Sequence, residues 1–146
     1  MSKTLRKNYT DAVTCLRNTP PQRMTAAQAS TYPGVKSRYD EYVATHISLT
    51  PHIHFTADFL AWHRYFLHSY EKDLQTLCGY TGVLPYWDWS RDASAPQNSE
   101  IFNGDAYSMG SNGEFIPGRQ PVYLPNQGIY APVSYTHLTL PTNREV

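Results

Sequence analysis

Apolar positions in the first 80 residues recur at helical spacing, and beyond them the pattern breaks up. Leu5, Tyr9, Ala12, Val13 and Leu16 fall at steps of three and four, which predicts a helix that Pro20-Pro21 stops. Tyr39, Tyr42, Val43, His46 and Ile47 make a second stripe, expected to end before Pro51 because proline disfavours helical backbone in the residue ahead of it. A third and longer helix is predicted from about Thr56 to Leu77, with Phe59, Trp62, His63, Phe66, Tyr70, Leu74 and Leu77 on its apolar side. Gly79 stands where a helix takes a left-handed residue to stop. The 66 residues from Thr81 onward hold seven Pro and six Gly, against four and two in the first 80, so that part reads as loops with short extended pieces. The expected class is mainly α, followed by Pro/Gly-rich loops.

Composition narrows the function. A chain of 146 residues fits one domain. Lys+Arg and Asp+Glu both count 12, and this zero net charge argues against a binder of nucleic acid or of anionic membranes held by charge neutralisation. No stretch approaches the roughly 18 consecutive apolar residues of a membrane-spanning helix. Basic residues near Met1 are not followed by an apolar run, so no signal peptide is expected in this chain. Asn8-Tyr9-Thr10 is a glycosylation sequon, meaningful only if the chain is secreted. Cys15 and Cys78 allow at most one internal bridge, with pairing outside the chain or buried free thiols as the alternatives.

The chemistry concentrates in histidine. Five of the six His lie between His46 and His68. His46 sits on the apolar stripe of the second predicted helix, one turn after Val43, and His63 on that of the third, one turn after Phe59. His54 stands between them, nine residues ahead of His63. Neutral imidazole suits copper or zinc, and apolar walls hold the rings and limit solvent. Spacing alone leaves open the alternative of hydrogen-bonded core histidines. His68 is five residues past His63, about 140° round the helix, beside Lys72 and Gln75, and is expected in solvent.

His54-Phe-Thr-Ala-Asp-Phe59-Leu-Ala-Trp62-His63-Arg64-Tyr-Phe66, followed by Leu84-Pro85-Tyr86-Trp87-Asp88-Trp89, resembles the first copper-binding half of tyrosinases and catechol oxidases, nearest the short fungal ones. The resemblance covers residues 37–90 well and the flanking segments more loosely. It implies the first part of a tyrosinase-type four-helix bundle, with His46, His54 and His63 as the ligands of the first copper and Phe59 packed beside the copper-bound rings. Arg64 and Asp88 match positions read as structural, Asp88 with a possible role accepting from a ligand N–H. Trp87 and Trp89 are expected in the core. Some members carry a Cys bonded to the second ligand; that position is His52 here, and the nine-residue step to His63 favours His54 over it as the ligand.

In such enzymes two coppers, each on three His, use dioxygen to oxidise phenols or catechols to o-quinones. The second set, a His-x-x-x-His pair and a further His, has no match here, since His137 is the single His after His68. The family reading is therefore half of a secreted copper oxidoreductase, with residues 1–132 as the amino-terminal part of the domain and the chain inactive alone. Val133-Ser-Tyr-Thr-His137-Leu-Thr-Leu-Pro-Thr142 resembles a translated sequencing adapter, so residues 133–146 are expected to be non-native and His137 to have no role. Two alternatives accompany this reading. One is a haemocyanin-like oxygen binder. The other is a lone three-His zinc or copper site, for which no carboxylate stands as general base, Asp58 being five residues before His63.

Overall fold

Four α-helices build the first of two units in the computed structural model: α1 Lys3–Asn18, α2 Ala26–Thr31, α3 Arg38–Ile53 and α4 Phe59–Cys78. The structure describes residues 1–110 and the strands β1 Tyr123–Leu124 and β2 Ile129–Tyr130, so His137 and the expected non-native tail lie outside the described residues. The units run Met1–Trp87 and Asp88–Val146.

Local sequence explains where each helix starts and stops. Ser2 caps α1, its hydroxyl accepting from the Leu5 amide at 3.3 Å. The helix ends at Thr19, ahead of the two prolines. Ser37 and Asp40 cap α3 reciprocally, each side chain accepting from the other's backbone N–H. Gly79 ends α4 with φ 66°, a conformation that glycine adopts without steric cost. The six-residue α2 has no apolar stripe to announce it; Thr25 and Gln28 form a second reciprocal cap at its start.

Two boundaries differ from the sequence expectation, and both bear on the site. α3 does not end before Pro51 but runs through it to Ile53. Pro51 lacks the N–H that would serve the Ile47 carbonyl, but Ile47 is 60% exposed, so this turn is not sealed from solvent and the lost bond costs little. α4 begins at Phe59 rather than Thr56, because residues 54–58 form a tight connection in which the Phe59 amide donates to the Thr56 carbonyl at 3.3 Å.

α1 packs on both α3 and α4, which run antiparallel against each other. Leu16 and Leu74 are fully buried at this junction, with Val13 and Ala12 beside them. Cys15 is bonded to Cys78, closing α1 onto the end of α4 with Cα atoms 5.8 Å apart. The buried face of α3 is not the stripe expected from hydrophobicity. It runs through Arg38, Glu41 and Tyr42, while Val43 and Ile47 are exposed. A buried ion group of Arg38, Glu41 and Asp73, invisible to an apolar count, lies on the face that α3 turns inward.

In the second unit, short 3-10 turns cover Trp89–Asp92 and Pro96–Asn98, and Ser108 is buried. β1 and β2 pair antiparallel, Tyr123 opposite Tyr130 and Leu124 opposite Ile129. The expectation of Trp87 and Trp89 in the core fails: Trp87, the last residue of the first unit, is 37% exposed, and Trp89 in the second is 66% exposed.

Candidate metal centre

The end of α3, the short connection and the start of α4 bring three imidazoles together. His46 lies on α3, one turn beyond Tyr42. His54 caps the carboxyl end of α3, and it reaches that place because the helix continues past Pro51. His63 lies on the second turn of α4. Each offers a ring nitrogen within 4.8 Å of the others, and all three are half-buried. No other group of three such donors occurs among the described residues.

Backbone carbonyls set the tautomers. Nδ1 of His54 lies 3.0 Å from the Thr50 carbonyl, and Nδ1 of His63 lies 2.7 Å from the Phe59 carbonyl. A carbonyl only accepts, so both Nδ1 atoms carry the proton and both Nε2 atoms hold a free lone pair. Nε2 of His63 stands 3.3 Å from Nε2 of His46. Two imidazoles on one metal, at about 2.0–2.1 Å each in tetrahedral geometry, have nitrogens about 3.3 Å apart. The His46–His63 pair already has that separation, and no pair in the set needs to close by more than about 1.5 Å, within the reach of side-chain rotation. The donor set therefore fits copper or zinc.

Aromatic rings wall the cluster. Phe59 packs 4.4 Å from His63 and 5.7 Å from His54 between ring centres. Trp62 lies 4.9 Å from His63 and stacks on Phe66 at 4.8 Å, and Phe66 lies 5.9 Å from His46. Burial, aided by the neighbouring His54 and His63, holds the His46 pKa below its usual value, which keeps that ring neutral and able to ligate at neutral pH.

The other sequence candidates fall elsewhere. His52 and His68 are exposed, as is Arg64. Asp88 belongs to the second unit, where its carboxylate accepts from the Ser90 hydroxyl at 2.6 Å and pairs with Arg91 Nε at 3.0 Å. Two groups escaped sequence reasoning. The Thr50 carbonyl orients His54, and Thr50-Pro51 reads in sequence as a helix end rather than as part of a site. The left-handed backbone of Phe55, φ 59°, turns the chain directly after His54 and leaves its ring in solvent.

Known proteins are similar to this chain in sequence and fold. The family model for the common central domain of tyrosinase matches residues 36–145. The chain is 40% identical over 136 residues to a tyrosinase-like protein, orsC, of Emericella nidulans, covering 87% of this chain and 36% of that one. It is 39% identical over 130 residues to tyrosinase P of Aspergillus terreus, covering 88% and 35%. An N-acetyl-6-hydroxytryptophan oxidase of Emericella nidulans is 43% identical over 108 residues, 66% of this chain and 28% of its own. The solved structure of a polyphenol oxidase variant from Thermothelomyces thermophila superposes with a TM-score of 0.73 at 50% identity, over 89% of this chain and 33% of that one. The chain thus spans about a third of the length of these relatives. With three quarters of its residues inside the matched central domain, it belongs to the tyrosinase family of copper oxidoreductases.

Proposed function

We propose that this chain supplies the first of two three-histidine copper sites in an oxidase of phenols or catechols, with Nε2 of His46, His54 and His63 as the ligands. The observation that carries the reading is the convergence of three ring nitrogens, two of them with Nδ1 committed to a backbone carbonyl. Copper, when bound, supplies one-electron redox chemistry and open positions for dioxygen and a phenolic oxygen.

The chain's own residues do the positioning. The Thr50 and Phe59 carbonyls hold the Nδ1 protons of His54 and His63 and so keep both Nε2 lone pairs free. Phe59, Trp62 and Phe66 hold the rings in place and limit water around them. Oxidation of a catechol to an o-quinone removes two electrons and two protons. A single one-electron centre does not take both, so the active protein needs a second site from residues beyond this third of the family length.

Copper titration tests the reading. The chain is expected to bind one equivalent at neutral pH, to lose that binding in His46→Ala and in His63→Ala, and to leave catechol unoxidised. Tight binding that survives both substitutions, or catechol turnover by the chain alone, would sink it.

A further inference from the structure

The helical unit buries a group of charged and polar side chains that make no contact with metal-site nitrogens. Arg38, Glu41, Tyr42 and Asp73 are each 8% exposed or less. Arg38 donates through Nε to Asp73 Oδ2 at 2.6 Å, through Nη1 to Glu41 Oε2 at 2.8 Å and through Nη2 to the Tyr42 hydroxyl at 3.0 Å. The Tyr42 hydroxyl in turn donates to the same Asp73 oxygen at 2.6 Å. Glu41 also accepts the backbone amides of Gln22, Arg23 and Met24, which pins the segment ahead of α2 to α3.

Removing charges from water offsets most of what their attraction returns, so a buried ion group is a weak source of stability. It is a strong source of geometry, because each member is satisfied in one arrangement only. Here that arrangement joins α3, through Arg38 and Tyr42, to α4, through Asp73. Toward the histidines, only aromatic rings continue the link: Tyr42 meets Phe66 edge-on at 5.4 Å, and Phe66 touches both His46 and Trp62, the ring beside His63. On the outer face of α3, Val43 and Ile47 are exposed and add no constraint on how the helix rolls.

We infer that Arg38, Tyr42 and Asp73 are positioning residues that set the register of α3 against α4, and through Phe66 and Trp62 the distance between His46 and His63. The inference rests on the copper reading for its consequence, but the register itself is measurable without metal. Nitroxide labels on Ile47→Cys and Leu60→Cys, exposed positions flanking the histidine end, report the α3–α4 distance in the full chain with its disulfide intact. Tyr42→Phe keeps the ring contacts and removes the hydroxyl bonds; Asp73→Asn keeps the shape and removes the charge.

Both variants are expected to shift or broaden the label distance in the metal-free chain. They are also expected to weaken Co(II) binding about tenfold and to alter its visible absorption band, which reports ligand geometry. Leu16→Ala, a core change in α1, lowers the melting temperature and leaves distance and band unchanged. If the unsubstituted chain binds Co(II) and both variants keep its distance, affinity and band, the positioning role is overturned while the copper reading stands. If the chain binds no Co(II) but the variants broaden the distance, the copper reading fails and the register role survives.

Discussion

At one end of the α3–α4 pair, the Cys15–Cys78 bond, the buried Leu16 and Leu74 and the Arg38–Glu41–Tyr42–Asp73 group tie three helices together. At the other end three imidazoles meet amid exposed Ile47, Phe55 and Leu60. The tied end has a closed core and satisfied charges. The histidine end has half-buried ring nitrogens that face one another, His46 Nε2 and His63 Nε2 at 3.3 Å, and one residue in left-handed backbone. The contrast separates the source of stability from the source of chemistry: ligands can be held loosely because the helices that carry them are fixed elsewhere.

The largest effect should come from cutting the tied end. The Cys15→Ser, Cys78→Ser pair opens a loop 63 residues long and should cost about 4 kcal/mol in urea unfolding, chiefly through the unfolded chain. Copper affinity of the folded fraction should hardly change. A loss under about 1 kcal/mol would mean that packing alone ties this end.

Alkaline pH should attack the same end next. Burial pushes the Tyr9 hydroxyl up to about 12 from 10.0, and burial likewise raises Tyr70 and Tyr42. The folded chain therefore keeps these protons after the unfolded chain has released them, so the stability they contribute is full below pH 10 and is lost as pH climbs toward 12. The urea midpoint should fall across that window, and less steeply in Tyr9→Phe. A flat midpoint to pH 11 would show that these phenols do not hold the tied end together.

The smallest effect, with the opposite sign, belongs to the histidine end. Phe55 adopts φ 59° with its side chain fully in solvent. Phe55→Gly should raise stability by roughly 0.5–1 kcal/mol, relief of the left-handed cost outweighing glycine's extra freedom in the unfolded chain. Thermal melts check the sign; destabilisation would mean the ring has a packing role and the two ends are less different than they look.

Much of this contrast was readable in the chain. Periodicity found α1, α3 and α4, and the Trp62-His63-Arg64 context picked out the three histidines. What escaped was polar. Thr50-Pro51 read as a helix stop, although an exposed last turn tolerates the missing N–H and so delivers His54 to the site. Arg38, Glu41 and Asp73 drew no attention, since a charge's partner on another helix leaves no trace in local spacing. Trp87 and Trp89 read as core but are partly to largely exposed, since hydrophobicity says what prefers burial and not what the fold buries.

The sequence by itself located α1, α3 and α4, the glycine stop of α4, the disulfide's candidates and the three candidate histidines, because these follow from short-range spacing and residue chemistry. Only the tertiary structure decided which face of α3 turns inward, which carbonyls fix the tautomers of His54 and His63, and how His46 comes to stand 3.3 Å from His63. The carbonyls lie four residues away along the chain and follow from where each helix turn places the ring. The inward face of α3 instead goes with side chains up to 35 residues apart that satisfy one another's charge out of water, as Arg38 and Asp73 do.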